Sequence, residues 1–124
     1  MKTKYLIYLS VLFCSLLVKN TEANAAHTWV ACTPASVATL YSSRIHIQCA
    51  QSFDGIRYFA YGTKQDPAGA ARYMSMATSA LISGVSIKLL YDPEDQSGTN
   101  IGCKAHDCRL LLGLEIFGAG EIGM

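Results

Sequence analysis

The sequence predicts a mainly β domain with one helix, and three observations point there. Residues 44–49 alternate at period two, with Ile45, Ile47 and Cys49 on one side and Arg44, His46 and Gln48 on the other. Between Asp66-Pro67 and Gly84 the pattern changes to helical spacing. Four cysteines remain once the N-terminal segment is set aside, an even number that suits a disulfide framework in a short chain.

That N-terminal segment reads as an export signal over residues 1–25. Lys2 and Lys4 form a basic start, residues 5–18 are apolar and uncharged, and Ala23-Asn24-Ala25 is a small-x-small cleavage site. A bilayer-spanning helix needs about 20 apolar residues, so the run is too short for an anchor. Cleavage after Ala25 leaves a single domain, 26–124, in a secreted or periplasmic location. It also removes Lys2, Lys4, Lys19 and Glu22, so ten basic and nine acidic residues become seven and eight. A net charge near −1 gives no electrostatic footprint for nucleic acid or an anionic membrane surface.

The elements follow in order. Residues 28–31 suit a short edge strand. Residues 36–49 read as one long strand with a bend or bulge near Tyr41-Ser42-Ser43, since fourteen residues exceed the usual strand length. Asp54-Gly55 marks a tight hairpin, and residues 56–61 return. In that return strand Tyr58 groups with Ile56 and Ala60 as core-facing, with Arg57, Phe59 and Tyr61 opposite. Asp66 caps a helix with Pro67 at its first position, and Gly84 ends it. Ala70, Met74, Ala77 and Leu81 form its apolar stripe. Residues 86–91 make the next strand, a loop covers 92–108, and residues 110–117 make the last strand. In that strand Leu110, Leu112, Leu114 and Ile116 share a face.

Cys103 and Cys108 lie close enough for a local bridge, which leaves Cys32 to pair with Cys49. Each bond contributes roughly 2–4 kcal/mol, which matters for a domain with so small a core. A single covering helix forces the sheet either to close or to bury one face beneath that helix. A long bent first strand serves both halves of a small, partly open oligonucleotide/oligosaccharide-binding (OB) barrel, the expected fold. An open antiparallel sheet with the helix across it is the alternative.

Chemistry is sparse. Cys103, His106 and Cys108 carry ligand types for zinc, but oxidised sulfurs cannot coordinate as thiolates, so no metal or other cofactor is expected. Complete pairing leaves no thiol nucleophile for His46 or His106, and no Gly-x-Ser-x-Gly elbow occurs. Glu115 is the one carboxylate on a strand, and a lone strand carboxylate is a weak catalytic signal. The chain is therefore read as a non-enzyme. Trp29 and the tyrosines 41, 58, 61, 73 and 91 favour a binding face instead.

The arrangement resembles the receptor-binding B subunits of subtilase cytotoxin and of typhoid/pertussis-like toxins. The residues that carry the resemblance are Phe53-Asp54, Tyr58-Phe59, the helix from Ala70 to Gly84, Gly84-Val85-Ser86-Ile87-Lys88, Tyr91-Asp92-Pro93, and the close pair Cys103 and Cys108. The resemblance implies an OB-fold, a ring of five subunits, binding of sialylated host glycans or glycoproteins, and docking of a catalytic A subunit. It also implies a sugar site at a serine beside an aromatic residue. That puts Tyr41, Ser42 and Ser43 at the ligand, with Arg44 or Lys64 compensating its charge. The family's middle cysteine pair is missing, with Phe59-Ala60 and Ala70-Ala71 in that neighbourhood. The alternative function is a secreted interaction or inhibitor protein with the same fold and no sugar pocket.

Overall fold

The computed structural model describes residues 26–41 and 43–118. The expected signal, its cleavage site and Ser42 lie outside these residues. The strands are β1 (Thr28–Cys32), β2 (Pro34–Leu40), β3 (Arg44–Phe53), β4 (Ile56–Gly62), β5 (Ile87–Tyr91), β6 (Cys108–Leu110) and β7 (Gly113–Ile116). Helix α1 (Pro67–Ser83) falls between β4 and β5, and a 3₁₀ turn (Ser97–Ile101) falls between β5 and β6.

The strands divide between two sheets, ordered β1-β5-β7 and β2-β3-β4-β6, and do not make a closed barrel. All pairs are antiparallel except β4 with β6. The mainly β class and both disulfides agree with the sequence. Cys32 bonds Cys49 across a separation of 17 residues, and Cys103 bonds Cys108 across 5.

The expected long strand over residues 36–49 is a hairpin instead. Leu40 pairs with Arg44, and the Ser43 amide donates to the Leu40 carbonyl at 3.1 Å. Ser43 takes φ +68°, the left-handed residue that completes a three-residue hairpin loop. Serine at that position disguises the turn, because glycine or asparagine is the usual marker. The second hairpin is as expected, with Asp54 and Gly55 both at positive φ.

The last strand also divides. The Leu111 amide donates to Ala60 of β4 and the Leu112 amide to Leu90 of β5, so the chain changes sheets between these residues. The shared leucine face is lost: Leu111 is buried while Leu112 is exposed. The apolar alternation hides this corner because leucine stands at 110, 111 and 112 alike. A similar corner lies at Thr33, between β1 and β2. Its amide donates to Gln51 Oε1 at 2.9 Å, and its hydroxyl meets Gln51 Nε2 at 2.9 Å and Ser86 Oγ at 2.8 Å.

Helix α1 has the expected bounds. Asp66 Oδ1 accepts from the Gly69 amide at 3.0 Å, and Gly84 takes φ +68° beyond the last turn. Its buried residues are Gly69, Ala70, Ala77 and Ala80. The stripe is therefore turned from the expected one, with Met74 and Leu81 only half-buried at its margin. Alanines let the helix lie close to β2, and bulkier side chains are displaced to the flanks. The main core gathers Ile47, Ile56, Phe59, Ile87, Leu89, Tyr91 and Leu111 with Ala77, Ala80 and the Cys32–Cys49 bond.

Candidate functional site

The alternation of β3 sends Arg44, His46 and Gln48 away from the main core. In register they stand opposite Gly62, Ala60 and Tyr58 of β4, which therefore share that face. Phe59 and Tyr61 face the main core, the reverse of the expected orientation, while Ile56 joins that core as expected, beyond the register shift at the start of β4. Tyr58 and Ala60 pack instead against Ile101 and the Cys103–Cys108 disulfide in a second, smaller cluster. The disulfide loop thus folds over a face that would otherwise meet water.

Between that loop and β3–β4 lies a cleft of about 230 Å³ lined by Arg44, His46, Tyr58, Lys104 and Asp107 beside the disulfide. The Tyr58 and His46 rings stand 5.6 Å apart at a tilt of 53°. Arg44 Nη1 donates to the Ile101 carbonyl at 3.0 Å, which fixes the guanidinium at the cleft. Burial, and then the Arg44 charge, hold the His46 imidazole below its ordinary pKa. His106 Nε2 lies 3.4 Å from Asp107 Oδ2. Arginine, lysine and histidine against one carboxylate make the cleft suited to an anion, and Tyr58 adds an apolar wall with a polar handle.

Arg109 braces the covering loop. Its Nε donates to the Pro93 carbonyl at 2.8 Å and its Nη1 to Ala105 at 2.6 Å and Cys108 at 2.8 Å. Gly98 makes room for the disulfide, since a Cβ there would lie 3.0 Å from Cys103 Cβ and 3.1 Å from its sulfur. A second, more apolar cleft of about 300 Å³ lies between Tyr61, Gln65, Ile101 and residues 110–112.

Of the described residues expected at the ligand (Tyr41, Ser43, Arg44 and Lys64), Arg44 alone lines the anion-suited cleft. Tyr41 is fully exposed on the β2–β3 hairpin tip. The Ser43 carbonyl accepts from the Thr63 amide at 2.9 Å, which brings Ser43 beside the turn bearing exposed Lys64. Tyr58, Lys104 and Asp107 escape the sequence reading because the loop's return onto β4 is a non-local, parallel contact. His46 was within reach, two residues from Arg44 on the same face. The sulfurs flanking His106 are bonded to each other, and among the described residues no cluster of three or more His, Cys, Asp or Glu is placed to hold a metal ion.

Among the described residues no helix is long and apolar enough to cross a membrane. Two disulfides are compatible with an oxidising, extracellular or periplasmic setting. No family model and no curated protein matches the chain.

Proposed function

We propose that this protein is an exported, non-enzymatic binding module of toxin B-subunit type that takes an acidic sugar of host glycans in the cleft beneath its disulfide loop. The observation that carries the reading is the convergence of Arg44, His46 and Lys104 beside the Tyr58 ring. A sugar carboxylate needs cationic donors once it leaves water, and its ring needs an apolar wall. The cleft offers both. Sialylated glycans meet these needs, and a catalytic subunit and a ring of five copies belong to the same reading.

The OB-like barrel belongs to this proposal. Its support is that one residue, Thr33, separates β1 from β2, and two residues separate β6 from β7. With each pair counted as one bent strand, the neighbours run β1/β2, β3, β4, β6/β7, β5 and back to β1/β2. Bent strands of this kind carry the corners of partly open barrels.

The test is a glycan array followed by titration of any acidic hit. Arg44→Gln and Lys104→Gln each remove a charged hydrogen bond, which weakens binding by roughly 1.5–3 kcal/mol, about tenfold or more. Binding unchanged in both variants rules out the cleft. Native mass measurement reads the ring: five copies support the toxin reading and a monomer opposes it. A second reading, an interaction protein without a sugar pocket, is favoured by Tyr41, whose complete exposure on a hairpin tip suits a protein anchor. Capture of a protein partner that Tyr41→Ala abolishes and Arg44→Gln spares would select it.

A further inference from the structure

The outer face of the β1-β5-β7 sheet carries a half-exposed indole with a deliberate seat. Trp29 pairs with Leu90, which pairs with Gly113, so the three residues form one row across the sheet. A Cβ on Gly113 would lie 3.4 Å from Trp29 Cη2 and 3.3 Å from Leu90 Cβ. The ring therefore reaches across β5 and rests at the glycine, with about half of the residue still exposed at 48%. A glycine in an edge strand weakens it, and close approach by another group is a common reason for keeping one.

Two charged residues flank this row. Lys88 and Glu115 pair directly across β5 and β7, two residues along on the same face. Lys88 is buried, with its ammonium 5.1 Å from the centre of the Phe117 ring, while Glu115 is exposed. The pair leaves the platform close to neutral, so neither a strong anion nor a strong cation is selected. Three strands about 4.8 Å apart and five residues at about 3.3 Å each make a face of roughly 14 Å by 16 Å, or ~230 Å². A stable protein partner buries about 800 Å² on each side, several times more.

We propose that Trp29 and Glu115 form a second carbohydrate subsite, for a neutral pyranose of a glycan. The C–H face of the sugar stacks on the open side of the indole, and its hydroxyls donate to the Glu115 carboxylate, which is an acceptor when ionised. This site does not rest on the acidic-sugar cleft, which lies on the other sheet, and either can fail without the other.

Trp29 is the only tryptophan of the chain, so its fluorescence reads the site directly. The oxidised mature protein is titrated with the methyl pyranosides of glucose, galactose and mannose and with N-acetylglucosamine. The expected result is a saturable change in emission with at least one of them. Binding to the same sugar immobilised on a surface weakens severalfold in Trp29→Phe, at least about tenfold in Trp29→Ala, and about tenfold in Glu115→Gln. Arg44→Gln leaves it unchanged. Far-UV circular dichroism separates loss of the site from loss of the fold, and Trp29→Phe, which keeps an aromatic ring, stays informative if Trp29→Ala unfolds. No saturable change with any pyranoside, retained binding in Trp29→Ala, or an emission change that follows self-association instead would overturn the proposal.

Discussion

The Asp66 carboxylate ties β4 to the start of α1: Oδ2 accepts from the Tyr61 hydroxyl at 2.8 Å while Oδ1 accepts from the Gly69 amide at 3.0 Å. One side chain thus caps the helix and anchors it to the sheet beneath. Tyr61 in turn packs edge-on against Tyr73 of the helix, with ring centres 4.8 Å apart. The Gly69 and Tyr61 hydrogen bonds hold the Asp66 carboxyl below its ordinary value of 3.8.

That depression fixes the sign of an acid effect. A carboxyl with a lowered folded pKa contributes stability above its unfolded value, and the contribution is lost as pH falls through the folded value. Asp66→Ala should therefore lower the melting temperature at neutral pH and cost little well below pH 3.8. Thermal melts of both proteins across that range check it, and equal losses at both ends would detach the effect from ionisation.

Burial separates two helix and sheet substitutions. Phe59 is fully buried, so Phe59→Ala should cost about 3–5 kcal/mol. Met74 lies half-buried at the helix margin, with its sulfur 4.0 Å from the Thr39 hydroxyl, so Met74→Ala should cost only about 1 kcal/mol. Urea unfolding of the two variants measures the difference. A Met74 loss equal to that of Phe59 would restore the original stripe.

Gly98→Ala should cost about 1–3 kcal/mol, because the new methyl meets the buried disulfide. Since the same disulfide lines the cleft, affinity for any acidic ligand should fall with it. Stability is read by denaturant titration and affinity by calorimetry. An undisturbed Gly98→Ala protein would mean that the loop yields freely.

The two disulfides should differ in the stability they supply. By chain-closure entropy the longer Cys32–Cys49 loop is worth about 3 kcal/mol and the shorter Cys103–Cys108 loop about 2 kcal/mol. Paired Cys→Ser variants compared by thermal melts give the order. Ligand binding should reverse it, with loss of Cys103–Cys108 the more damaging because that bond walls the cleft.

His46 gives a second pH test. Its lowered folded pKa contributes stability above the unfolded value near 6.5, lost as pH falls through the folded value. An anion in the cleft opposes that shift, so binding should tighten and take up a proton as pH falls below about 6.5. Calorimetry in two buffers of different ionisation enthalpy detects the proton, and His46→Gln should abolish it.

Local signals in the sequence carried most of the elements. Asp66, Pro67 and Gly84 bound the helix to the residue, and Asp54-Gly55 placed a hairpin, because capping and turn chemistry act over a few residues. The β2–β3 turn stayed hidden because Ser43 adopts a conformation that its side chain does not advertise. The corner at Leu111-Leu112 stayed hidden because hydrophobicity does not say which sheet a leucine joins. For the site, alternation gave the face of Arg44 and the resemblance gave its role, whereas Lys104 and Asp107 reach the cleft through a loop whose docking no local pattern encodes.

The Cys32–Cys49 bond joins β1 of one sheet to β3 of the other, while Cys103–Cys108 closes within a single loop. Short loops close at lower entropic cost than long ones, so the local pair is favoured to oxidise first. Once it has formed, the remaining two thiols of residues 26–124 have only each other. Of the three pairings that four cysteines permit, the native one is then reached without a shuffling step. The sheets are locked together last, after the chain has had time to fold. A domain of this design can mature on simple oxidation, without an isomerase to correct it.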